Sequence, residues 1–67
     1  MSIYLVFAIN YTDIGGGMAD YQGAWFNKLA AENVELQLKQ SDAYDEVYTI
    51  QLNADFANNT IGYVEVN

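Results

Sequence analysis

Ser2-Ile3-Tyr4-Leu5-Val6-Phe7-Ala8-Ile9-Asn10-Tyr11 is the longest apolar run in the chain, and the rest of the sequence has to be arranged around it. Ile3, Leu5, Phe7, Ile9 and Tyr11 fall on one parity; Tyr4, Val6, Ala8 and Asn10 fall on the other. A strand sends alternate side chains to opposite faces. The run is uncharged and rich in β-branched and aromatic residues, which favours strand over helix. Two apolar faces suit a central strand better than an edge. The larger face, Leu5/Phe7/Ile9, is the one expected to be covered.

Outward from this strand, residues 12–17 should break it, because Gly15-Gly16-Gly17 holds neither helix nor strand well. A helix is then expected over 20–32, starting at Asp20 as N-cap or nearer Met18. Tyr21, Trp25 and Leu29 would form its apolar stripe, and Asn33 its C-cap. Residues 34–40 alternate, with Val34, Leu36 and Leu38 inward, and read as a half-buried strand. Residues 41–45 form a polar turn. Residues 46–53 read as a strand that makes a hairpin with the previous one, 55–59 as a connector, and 60–66 as a last strand.

The expected fold is therefore α+β, a single domain of order β-α-β-β-β over residues 1–67. One helix packs on a four-stranded, mostly antiparallel sheet, and the first two strands could run parallel. The core expected from this reading holds Leu5, Phe7, Ile9, Tyr21, Trp25, Leu29, Leu36, Leu38, Ile50 and Leu52. A single helix leaves the other sheet face to solvent or to a partner.

Composition narrows the chemistry. With 67 residues the core is small, and packing or oligomerisation has to supply stability, since the chain has no Cys and no His. Disulfides are excluded, and zinc, haem and iron–sulfur sites lose their usual ligands. A hydrophobic fraction of 52% with ten aromatic residues argues against disorder. The apolar run is too short to span a bilayer, and no Lys or Arg precedes it as in a signal peptide, so a cytoplasmic protein is expected, in a host cell if phage-encoded.

Nine acidic residues stand against Lys28 and Lys39, a net charge of −7. Direct nucleic-acid binding needs cations that this chain lacks, and anionic membranes are disfavoured likewise. A basic protein surface is the natural complement; the plainer reading of the acidity is solubility. Asp13 to Asp20 has a phosphate-loop position but not the Lys and Ser/Thr of one. Asp42, Asp45 and Glu46 form the densest acidic cluster but lack the ligand pattern of a calcium loop. No nucleophile, activating base or oxyanion donor is evident, and the chain is expected not to be an enzyme and to need no cofactor.

Tyr44 lies within the acidic turn and could serve as an anchor for an Arg- or Lys-rich surface, or lie over its own hairpin. Carboxylates at alternate strand positions follow at about 6.6 Å and can imitate a phosphate backbone. The candidate partner-binding residues are Glu35, Asp42, Tyr44, Asp45, Glu46, Asp55 and Glu65. In style the chain falls with the tiny, acidic, cofactor-free proteins of phages and mobile elements that block host nucleases, anti-CRISPR proteins among them. Composition alone carries that grouping. The expected role is a binding or inhibitor protein that occludes a basic, nucleic-acid-binding surface of a partner such as a nuclease or CRISPR effector subunit. The alternative is a small structural or assembly subunit, for instance a homodimer, joined through the open sheet face.

Overall fold

The computed structural model describes residues 2–11 and 19–66. The glycine run and the strand break expected at 12–17 lie outside the described residues, as does Met18. The elements are β1 (Ser2–Ile9), β2 (Ala19–Trp25), α1 (Lys28–Gln40), β3 (Glu46–Asp55) and β4 (Thr60–Val66). One helix covers a four-stranded sheet of order β2-β1-β3-β4, and every neighbouring pair is antiparallel. The α+β class and the central place of β1 are as expected.

The element order differs, being β-β-α-β-β rather than β-α-β-β-β. Residues 19–25 are a strand and 28–40 a helix, where the sequence pattern suggested a helix over 20–32 and a strand over 34–40. Two physical facts decide this. Asn27 is extended, and its side-chain oxygen accepts from the backbone N–H groups of Leu29 (2.8 Å) and Ala30 (3.4 Å), so the helix starts there. Downstream, Ala31, Val34 and Leu38 recur at i, i+3 and i+7, a helical stripe that competes with the period-two reading. Ala31 is fully buried, whereas Leu36, which alternation would send inward, is exposed. The first two strands are antiparallel, and no hairpin links residues 34–40 to β3.

The covered face is also the opposite of the expected one. Val6, Ala8, Val47 and Thr49 lie under the helix and, with Ala31, are the buried residues among those described. Trp25, Tyr4, Val34, Leu38 and Tyr44 pack around them, half-buried. Small side chains on both elements let the helix settle closely on the sheet; Leu5, Phe7 and Ile9, all larger, point the other way. Tyr21 and Leu29 are exposed. At its far end the covered face turns polar: Ser2 Oγ donates to Asn53 Oδ1 (2.9 Å), and Gln51 Nε2 donates to both. The helix packs over β1, β2 and β3 and leaves β4 bare.

Candidate functional site: an acidic corner

Where β1 ends and β3 begins, the acidic turn is tied down. The Asp45 N–H donates to the Ile9 carbonyl at 2.8 Å, extending the β1–β3 ladder by one bond. The Tyr11 N–H donates to Asp45 Oδ2 at 2.6 Å, and the Tyr11 hydroxyl donates to Glu46 Oε2. Asn10 Nδ2 donates to the Ala43 carbonyl at 3.3 Å. On the helix side, the Ser41 N–H donates to the Gln37 carbonyl, and Ser41 Oγ donates to the Leu38 carbonyl and accepts from the Ala43 N–H. Asp42 takes a left-handed φ of 57°, which a short polar side chain tolerates well. The turn is thus held from the helix end and from the strand end.

Its electrostatics are one-sided. Asp42, Asp45 and Glu46 gather just beyond the C-terminus of α1, whose free carbonyls form the negative end of the helix dipole. Lys39 in the last turn pairs with Glu35 and Lys28 pairs with Glu32, each at 3.8 Å. Both cations are therefore engaged by glutamates of the helix. The Tyr11 hydroxyl is held above the usual 10.0, first by its hydrogen bond to Glu46, then by partial desolvation and the charges of Glu46 and Asp45.

The expected site residues separate. Asp42, Tyr44, Asp45 and Glu46 come together at this corner. Tyr44 is half-buried against the core, so its ring supports the turn rather than standing out from it. Glu35 lies in the helix layer, and Glu65 lies on the opposite sheet face, across from Ile50. Asp55 is at the other end of β3, roughly 30 Å away at about 3.4 Å per residue. There it accepts from Asn58 N–H (3.3 Å) and Nδ2 (2.8 Å), which lower its pKa below the usual 3.8. A phosphate-like row of all six acids is not built.

Tyr11 and Asn10 are the positions that sequence reading missed as members of the corner. Their contacts span more than thirty residues, and nothing in local spacing signals them. Among the described residues no group of three or more Asp, Glu, His or Cys is arranged to hold a metal ion. Among them, too, no helix is long and apolar enough to cross a membrane. A shallow hollow beside the β3–β4 turn, lined by Ala54, Asp55, Phe56 and Ile61, offers Asp55 as its sole ionisable side chain. No protein-family model, curated protein or solved structure matches the chain.

Proposed function

We propose that this chain is a small acidic binding protein without a catalytic role, whose acidic corner docks on a basic surface of a partner protein and occludes it. The observation that carries the reading is the acidic turn of Asp42, Asp45 and Glu46 beside a helix C-terminus, with the Asp45 and Glu46 carboxylates fastened by Tyr11 and both lysines drawn to helix glutamates. Ordered carboxylates bind Lys and Arg better than mobile ones, because less side-chain freedom is lost on docking. Surfaces rich in Lys and Arg are above all those that bind nucleic acid. The partner class is therefore a cytoplasmic nucleic-acid-binding protein, such as a nuclease or a CRISPR effector subunit, and the outcome of binding is inhibition.

The test is displacement of a fluorescent duplex from purified nuclease effector complexes. The wild-type chain should release the DNA of its partner, and less so as salt rises, since charge attraction is screened over about 8–10 Å. The triple variant Asp42→Asn, Asp45→Asn, Glu46→Gln keeps the hydrogen-bond acceptors of the corner and removes its charge. It should keep the wild-type circular dichroism and lose displacement. Full displacement by this variant would contradict the reading.

A further inference from the structure

The sheet has a second face, and it is the more apolar of the two. By strand register, Leu5 lies across from Ile50 and Phe7 from Tyr48, on the side away from the helix. Tyr21 continues the Phe7 row onto β2: its ring centroid is 6.0 Å from that of Phe7, and Tyr48 stacks on the other side at 5.5 Å. Leu52 and Tyr63 make the next row toward the far end. Tyr63 is 72% exposed and Tyr21 61% exposed, so these are surface side chains in the single chain.

This arrangement inverts ordinary economy of burial. The covered face holds Val6, Ala8, Val47 and Thr49 and closes off in the Ser2–Gln51–Asn53 network. The bare face holds the large side chains, and its hydrogen-bonded polar end is at Glu46 and Tyr11. Four strands about 4.8 Å apart and seven residues of about 3.3 Å make a face of roughly 19 by 23 Å. That flat area of roughly 440 Å², enlarged by side-chain relief, approaches the ~600 Å² per partner at the small end of stable protein interfaces and matches the largest apolar patch of a typical monomer, which is often functional.

Charge selects the occupant. The charged groups on this face among the described residues are Glu46 and Glu65, both at its rim; the two lysines sit on the helix, beyond the sheet. The centre offers no carboxylate to a basic partner, whose Lys and Arg would be desolvated without a counter-charge. Anionic lipid is repelled by the net charge of −7. A second copy brings an equally apolar face and the same aromatic row.

We infer that the bare face is the interface of a homodimer, formed by face-to-face packing of two sheets about 10 Å apart with a helix on each outer side. A two-fold axis parallel to the strands sets β4 of one copy over β2 of the other. It keeps Glu65 about three strand spacings, ~14 Å, from its own image, beyond the Debye length of physiological salt. Leu5, Phe7 and Ile50 then become core, adding to the five buried residues found among the described residues of this 67-residue chain. Glu46, on β3 at the strand end of this face, lies only about one strand spacing, ~5 Å, laterally from its image across that axis, a repulsion that salt screens.

Sedimentation equilibrium of the isolated chain tests this, without any other partner present. The expected mass is twice the 7.5 kDa of one chain, retained or strengthened in high salt. Tyr63→Lys, at an exposed site that leaves the fold intact, should raise the dimer dissociation constant by about thirtyfold or more. Leu36→Lys, on the outer side of the helix, should leave it unchanged. A single-chain mass at all concentrations overturns the inference. So does a dimer that survives Tyr63→Lys and is lost in Leu36→Lys.

Discussion

The indole of Trp25 lies across the backbone of Gly23. A β-carbon placed on that glycine would stand 2.6 Å from ring atom Cη2 and 3.2 Å from Cζ2, and Gly23 has a φ of 149°, which L residues rarely adopt. Gly23 pairs with Val6, next to the register shift between Val6 and Phe7. The bulge turns the end of β2 so that Trp25 reaches the edge of the core beside Tyr4. Gly23 is thus the place where β2 admits its own aromatic ring.

Gly23→Ala should therefore destabilise the fold by about 1–3 kcal/mol, from backbone strain together with displacement of the ring. Thermal unfolding followed by Trp25 emission reads both effects: a lower midpoint and a shift of the native emission. An alanine variant with unchanged melting and emission would mean that the ring does not lie over this backbone.

The alternation of β1 and the β-branched and aromatic residues of β3 were legible, and so were a four-stranded sheet carrying one helix and the polar turn before β3. Residues 19–40 were not. Tyr21 and Trp25 lie in β2 and Leu29 in the first turn of α1, so their four-residue spacing is accidental, while Val34 and Leu38 satisfy both the strand and the helix period. The tie is broken by Asn27, whose capping bond local composition does not reveal. The choice of covered face depends on the size match between Ala31 and the sheet, a tertiary effect that overrides bulk hydrophobicity. Of the candidate site, the acidic turn could be read directly; its fastening to Tyr11 could not.

Thr49 is 1% exposed, and its hydroxyl has no hydrogen-bond partner among the described residues. Burying an unpaired hydroxyl opposes folding, so Thr49→Val should raise stability by about 1 kcal/mol. Urea unfolding with an unchanged slope would register this as a higher midpoint. A loss of stability on this substitution would show that the hydroxyl is satisfied in the folded protein.

The Tyr11–Glu46 pair gives the acidic corner a signature at high pH. Tyr11 holds its proton more tightly in the folded chain than the usual 10.0. Its contribution is fully present below the unfolded value and is lost as pH rises through the higher folded value. Glu46→Gln removes the carboxylate charge and should bring Tyr11 back toward 10.0. Titration of the Tyr11 ring carbon Cζ by NMR, wild type against variant, measures the difference. Coincident curves would mean that the hydroxyl does not rest on Glu46.

The account turns on which side of the sheet faces the helix, because both the shape of the acidic corner and the bare apolar face follow from it. A methyl NOESY spectrum decides this most directly. The Ala31 methyl should show cross-peaks to the methyls of Val6 and Val47, and none to Leu5 or Ile50. Cross-peaks from Ala31 to Leu5 and Ile50, with Val6 and Val47 silent, would place the large residues under the helix and contradict it.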